Sequence, residues 1–260
     1  MNWIELQIDG PLATIVLGAP KGPSRINVES AREWLEALQR IEDNDEVSVV
    51  VIRGSGSVWN AGGDLPEFAE RGDGAHDYVL EIGHWINQVV GQIDRSSKLM
   101  VASVHGAVAG GGLGPMLACD FAITAEDTAF TLGYSKLATN PDAGVSWYLP
   151  RIVGYRKALE LYLTSDRLNA DEAAELGLVN RVVPSQQLEV ETNIWAERFA
   201  ALSPHAVSAT KRLLKASETS PLDPHVDDEI RSFAQNTKHP DFTEGVTAFL
   251  ERRAPEFGRH

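Results

Sequence analysis

Along the first half of the chain the spacing of hydrophobic and polar positions changes period several times. Residues Trp3 to Leu17 alternate in part around Gly10-Pro11, which predicts a β-hairpin. Residues Glu29 to Glu42 place Trp34, Leu35, Leu38 and Ile41 on one helical stripe. Val47 to Ile52 is a nearly unbroken apolar run that stops at Gly54-Ser55-Gly56, the pattern of a buried strand followed by a loop. Asp77 to Asp94 reads as a helix, Leu99 to Val104 as a second apolar strand ending at His105-Gly106, and Asp120 to Thr124 as a short third strand. Strand, loop, helix and strand in repeating order predict an α/β chain with stacked βαβ units around a mostly parallel core.

After Pro141 the patterns become helical: Val145 to Val153, Arg156 to Thr164, Ala170 to Leu176, Gln186 to Leu202, Pro204 to Ser217, Asp223 to Asn236 and Asp241 to Arg252. Only Leu178 to Val183 interrupts as a strand. Asn169 before Ala170-Asp171-Glu172 and Ser203 before Pro204 are N-terminal caps. The expected organisation is an α/β core over residues 1–200 and a helical module over 201–260. No linker rich in Gly, Pro or Ser separates them, and no 20–50-residue repeat is present.

Composition narrows the function classes. A chain of 260 residues, 43% hydrophobic and 23% charged, is long enough to bury one sizeable core. Its formal charge of −14 argues against nucleic acid or an anionic membrane as partner. An anionic ligand would need local donors, meaning backbone N–H groups and a few Arg or Lys. The single cysteine, Cys119, cannot form an internal disulfide and reads as a small core residue. No basic, apolar leader pattern opens the sequence, and no stretch approaches the roughly 18 apolar residues of a membrane span, so a cytoplasmic protein is expected. His76, His105, His205, His225, His239 and His260 have no metal-ligand spacing, and no metal is expected.

Two glycine segments are candidates for chemistry. Val104 to Gly114 carries Gly106, Gly110, Gly111, Gly112 and Gly114 between an apolar strand and a helix-like run, which presents backbone N–H groups to negative charge. It fails the dinucleotide fingerprint, since Pro115 stands where a third glycine belongs. It fails the phosphate-loop motif, since Gly112-Leu113 stand where Lys-Ser/Thr is needed, and the chain has no Gly-x-Ser-x-Gly elbow. The second segment, Ser57 to Leu65, follows the neighbouring strand. If both loops leave the same sheet edge, two N–H groups can meet at one oxygen, the geometry of an oxyanion hole.

Ala61-Gly62-Gly63-Asp64-Leu65, Gly106 to Gly112, Cys119-Asp120, Pro141-Asp142-Ala143-Gly144, Leu149 to Gly154, Leu163-Thr164, Gly177-Leu178-Val179 and Glu244 to Leu250 together resemble the enoyl-CoA hydratase/isomerase (crotonase) superfamily, in order and over nearly the whole chain. The resemblance implies a crotonase-like spiral of repeated ββα units with a helical C-terminal trimerisation module. A homotrimer or dimer of trimers is the implied assembly. It implies an oxyanion hole from the N–H groups of Gly63 and Gly111. It implies an acyl-CoA thioester partner held by Arg25, Ala61, Asp64, Leu65, Val108, Gly110, Leu132, Tyr134 and Pro141, with coenzyme A as part of the substrate and no tightly bound cofactor. Asn27 falls near the same CoA-contacting segment, although Lys21-Gly22-Pro23 departs from its usual wording.

Departures from the family pattern decide the expected chemistry. The two glutamates of hydratases would fall at Gly114 and Tyr134, neither of which is a carboxylate. Asp142 instead matches the aspartate of isomerases of the phenylacetate-pathway type and the nucleophilic aspartate of 4-chlorobenzoyl-CoA dehalogenase. The dehalogenase's assisting histidine would fall at about Asn87, with His84 one turn earlier. The expected function is an enoyl-CoA isomerase with Asp142 as proton shuttle and with Leu132, Tyr134, Trp147 and Leu149 as pocket walls. An aspartate-nucleophile hydrolase or dehalogenase, an atypical hydratase and a non-catalytic thioester binder remain open. Read from residue types alone, Asp142 is a turn-forming or helix-capping aspartate, Asp64 a loop-bonding one and Tyr134 a packing residue.

Overall fold

A computed structural model describes residues 2–258; His260, with Met1 and Arg259, lies outside the described residues. The hairpin forms as expected. β1 (Ile4–Asp9) pairs antiparallel with β2 (Leu12–Leu17), joined by Gly10 and Pro11. Helix α1 (Val28–Glu42) follows, opened by a capping box. The Asn27 side chain accepts from the Ser30 N–H at 2.8 Å, and the Ser30 hydroxyl accepts from the Asn27 N–H at 2.9 Å. Its buried stripe includes Ala31, Trp34, Leu35, Leu38 and Ile41.

β3 (Val49–Gly54), β4 (Leu99–Val104), β6 (Phe121–Ala125) and β8 (Arg181–Val183) extend the sheet in parallel, in the order β1-β2-β3-β4-β6-β8. Burial on both faces explains the unbroken apolar runs. Val50, Ile52, Met100 and Ala102 belong to the main core with α1 and α3 (Ala75–Arg95). Val49, Val51 and Val101 pack with Phe121, Phe199 and Ala196 beneath α8 (Leu188–Ala200) on the other face. Each fully buried side chain of this size contributes roughly 1.5–3 kcal/mol.

A second, smaller layer shares the main core through Val108 and Phe130. β5 (Ala107–Ala109) pairs in parallel with β7 (Ala129–Thr131), and single-residue bridges continue the row from Ile26 to Gly63, from Asn60 to Val108 and from Phe130 to Leu168. Two successive turns of the chain thus lay one long strand in the main sheet, one short strand in the second layer, and then helix: β4 and β5 lead into α4 (Leu113–Ala118), and β6 and β7 into α5 (Val145–Val153) and α6 (Tyr155–Thr164). This is the ββα repeat that the resemblance implied. Three-residue strands inside a glycine run carry too little periodicity to be read beforehand. Helix α2 (Leu65–Arg71), with no buried residue, was likewise not expected; its cap Asp64 and Pro66 were its sequence signals. The strand expected over Leu178 to Val183 is confined to Arg181–Val183, while Leu178 and Val179 enter the core outside the strand.

Helices α7 (Ala170–Glu175), α9 (Pro204–Ala216), α10 (Leu222–Asn236) and α11 (Pro240–Glu251) complete the chain close to the predicted bounds. α9 and α10 bury no residue, and α10 leaves Leu222, Val226, Ile230 and Phe233 exposed. No described helix is long and apolar enough to cross a membrane. Replacing the α1 cap, Asn27→Ala, is expected to cost about 1 kcal/mol and to lower the melting temperature by about 2–4 °C in a thermal unfolding scan.

Candidate active site

Two loops leave the C-terminal ends of β3 and β4 and are zipped together ahead of Gly62-Gly63 and Gly110 to Gly112. The Trp59 N–H donates to the carbonyls of His105 (3.0 Å) and Ala107 (3.1 Å), that of Asn60 to Ala107 (3.3 Å), and that of Ala109 to Asn60 (3.0 Å). The Trp59 indole is fully buried, packs edge-on against Trp34 and donates to the Ile52 carbonyl at 3.2 Å. Asn60 then turns the chain, its side-chain oxygen accepting from the Gly62 N–H at 2.8 Å. Gly62 has φ +81°, and a Cβ there would lie 2.5 Å from the Ala109 carbonyl oxygen and 3.3 Å from the Gly111 nitrogen. Only glycine permits both this backbone and this contact.

Gly63 bridges Ile26 in parallel. The bonds of that bridge run from the Ile26 N–H to the Gly62 carbonyl (2.7 Å) and from the Asp64 N–H to the Ile26 carbonyl (3.2 Å). A parallel bridge leaves the central residue's own N–H and C=O on the opposite side, so among the described residues the Gly63 amide is not consumed by its loop. Gly111 is buried in the single helical turn Gly110–Gly112 that opens α4, where N–H groups lack intrahelical acceptors. Both candidate donors are therefore uncommitted within their loops.

Asp142 reaches this place from a different element. Ala143 (φ +47°) and Gly144 (φ +82°) are both left-handed, and the Val145 N–H closes the turn onto the Asp142 carbonyl at 2.9 Å. The Asp142 side chain does not cap α5, whose cap residue is Gly144. Its Oδ1 accepts the Tyr134 hydroxyl at 2.7 Å and lies 3.0 Å from where a Cβ on Gly111 would be. Tyr134 is buried, and that burial first, then the Asp142 charge, pushes its phenol well above the usual range. It therefore stays protonated and donates. The structure thus joins Gly111, Asp142 and Tyr134, with Gly62 against Gly111 on the side of Gly63, and Tyr134 does more than pack.

Gly114 explains the missing carboxylate. A Cβ there would lie 1.8 Å from the Ala143 carbonyl oxygen, so the Asp142 turn occupies the space any side chain would need.

The other candidates fall into place around this centre. Asp64 caps α2, accepting from the Glu67 N–H at 3.4 Å, and also pairs with Arg25 at 3.1 Å, a partner its loop setting did not reveal. Arg25 donates a further bond to the Lys21 carbonyl. Ala61 and Leu65 are exposed, Gly110 and Pro141 are half-buried, and the Val108 side chain is fully buried in the core. Of the four expected wall residues, Leu132, Tyr134 and Leu149 are buried, whereas Trp147 is exposed with the Arg151 guanidinium 3.8 Å from its ring centre. His84 is exposed and hydrogen-bonded to Gln88. Phe68 also borders this centre. Its ring lies 3.0 Å from where a Cβ on Gly63 would sit and edge-on to Tyr78. Its signal was its position one turn past the Asp64 cap. Among the described residues no cluster of three or more His, Cys, Asp and Glu is arranged to hold a metal.

Comparison with known proteins gives a consistent answer. The family model described as enoyl-CoA hydratase/isomerase matches residues 7–260. The chain is 34% identical over 235 residues to 4-chlorobenzoyl coenzyme A dehalogenase-2 of Arthrobacter sp., covering 88% of this chain and 85% of that one. It is 29% identical over 258 residues to 1,2-epoxyphenylacetyl-CoA isomerase of Escherichia coli K12, covering 99% and 98%. The crystal structure of an enoyl-CoA hydratase from Polaromonas sp. JS666 superposes with a TM-score of 0.93 at 30% identity, covering 98% of this chain and 99% of that one.

Gly114→Ala is expected to destabilise the protein by about 1–3 kcal/mol, read by denaturant unfolding, because the 142–144 turn must move. Gly114→Glu is expected to show no hydration of a 2-enoyl-CoA, followed by loss of the enoyl absorbance.

Proposed function

The chain belongs to the enoyl-CoA hydratase/isomerase family and is an enzyme of CoA-thioester chemistry; from that premise we propose that it moves a double bond within an acyl-CoA, with Asp142 as the proton carrier. The observation that carries this reading is the Asp142 carboxylate held over Gly111 by Tyr134 while position 114 is sealed. One carboxylate suffices to take a proton from one carbon and return it to another. Hydration by two glutamates needs a second carboxylate that the site does not hold.

In the proposed reaction the thioester oxygen sits against the N–H groups of Gly63 and Gly111. As the proton leaves, negative charge grows on that oxygen, and each amide contributes about 3 kcal/mol to stabilising it. Tyr134 fixes Asp142 Oδ1 and leaves Oδ2 to face the substrate carbons. Because the phenol stays protonated, it keeps the carboxylate in one orientation through both half-reactions. The coenzyme A portion is placed along Arg25 and the Ala61 loop. A homotrimer or dimer of trimers is proposed as the working form, supported by the exposed stripe Leu222, Val226, Ile230 and Phe233 on α10 and by exposed Phe249 and Leu250 on α11.

A second reading has support in the 34% identity to an Arthrobacter dehalogenase. There Asp142 would attack a halogen-bearing carbon, form an ester with loss of halide, and be regenerated when water hydrolyses that ester. The Tyr134 hydrogen bond counts against it, because a donor on a carboxylate oxygen reduces its nucleophilicity.

Incubation with a 3-enoyl-CoA is expected to yield the 2-enoyl-CoA, and Asp142→Asn to reduce the rate on the order of a thousandfold; undiminished turnover in that variant would overturn the proposal. A single turnover in ¹⁸O-labelled water is expected to leave Asp142 unlabelled by mass spectrometry, and incorporation of the label would favour the nucleophilic reading.

A further inference from the structure

Behind the Asp142 turn, three helices meet at one carboxylate. Asp94, at the end of α3, accepts the Tyr148 hydroxyl of α5 at 3.0 Å and the Lys215 ammonium of α9 at 3.0 Å. Lys215 also donates to the Asp94 carbonyl, at a helix end where unsatisfied carbonyls carry partial negative charge. Lys215 is therefore held by a carboxylate and by a helix terminus together.

The Tyr148 ring, in turn, supports the catalytic turn. A Cβ on Gly144 would come 3.1 Å from Tyr148 Cε2 and 3.2 Å from Val90 Cγ1 of α3. The Tyr148 N–H also donates to the Gly144 carbonyl at 3.0 Å. Only Ala143 separates Gly144 from Asp142. With two left-handed residues in succession, the turn has little freedom to shift without carrying the carboxylate with it. Burial first, and then the Asp94 charge, pushes the Tyr148 phenol above its usual range, so it remains a donor.

α9 buries no residue of its own and is fastened to the core by charge. Beside Lys215, Lys211 pairs with Asp120 at 2.6 Å and donates to the carbonyls of Ser96 and Lys98. The exposed pair of Arg151 and Glu218, at 3.3 Å, ties α5 to the residues after α9 but is worth little.

We propose that Asp94 is a positioning residue that links α9, through Lys215 and Tyr148, to the turn holding Asp142 over Gly111. The first helix of the C-terminal module thereby sets the geometry of the proton carrier. This inference rests on the proton-carrier reading of Asp142.

Tyr148→Phe keeps the ring and removes the hydroxyl; Lys215→Met keeps the stem and removes the charge. Each is expected to lower kcat for double-bond migration on the order of fivefold to tenfold, with KM within about twofold and unchanged circular dichroism. The double variant is expected to be no slower than the slower single, because both cut the same link, and Lys215→Arg is expected to recover most of the rate. Wild-type kcat in both singles, losses that multiply in the double, or an effect confined to KM would overturn the link. Asp142→Asn, assayed alongside, separates the two ideas. If it is inactive while Tyr148→Phe and Lys215→Met are fully active, only the link fails. If it is active, the proton-carrier reading fails and takes the link with it.

Discussion

Main chain meets main chain at the centre of this protein, with no side chain between. Gly62 lies against the Ala109 carbonyl; the bridge from Asn60 to Val108 holds the two loops in register, and the bridge from Ile26 to Gly63 ties the first of them to the segment before α1. The register matters because a parallel bridge turns the central amide away from its neighbour strand. A side chain at Gly62 would push against the Ala109 carbonyl and force the two hydrogen-bonded loops apart at this point. The short second layer therefore fixes which way its bridged amides face as well as adding Val108 and Phe130 to the core.

Charge bookkeeping leads to the same place. The chain carries a formal charge of −14, a poor overall field for a ligand bearing phosphates. Screening limits that field to about 8 Å at physiological ionic strength, whereas amide donors act at about 3 Å. Several cations close to the core are already engaged: Arg25 with Asp64, Lys211 with Asp120, Lys215 with Asp94. In the proposed reaction, stabilisation of the oxyanion would fall to neutral dipoles fixed in advance, which need no counter-charge and little rearrangement.

The long elements were legible from the sequence because each has one dominant period: the stripe of α1, the two-sided runs of β3 and β4, and the capped helices after Pro141. The motif resemblance also marked Gly63, Gly111 and Asp142 before any geometry was known. What escaped was set by contact across the fold. β5 and β7 are too short to show alternation. Phe68 gains its place only when α2 lies over Gly63. The pairing of Arg25 with Asp64 spans 39 residues. Tyr134 and Asp142 are eight apart on an irregular segment, where no helical or strand spacing would bring them together. Glycine at 114 was visible as an absence of carboxylate, but its cause, the Ala143 carbonyl, belongs to the tertiary structure.

That carbonyl also constrains how such a site can change over generations. With the backbone of residue 143 filling the space beside α4, no side chain can enter at 114 until the left-handed pair Ala143-Gly144 has adopted another path. The order of substitutions is therefore restricted. A lineage must first alter the turn that carries Asp142, and only then can it accept a glutamate at 114. Each single replacement at 114 therefore carries the cost of moving that turn, so a change there and a change at 142–144 are coupled rather than independent.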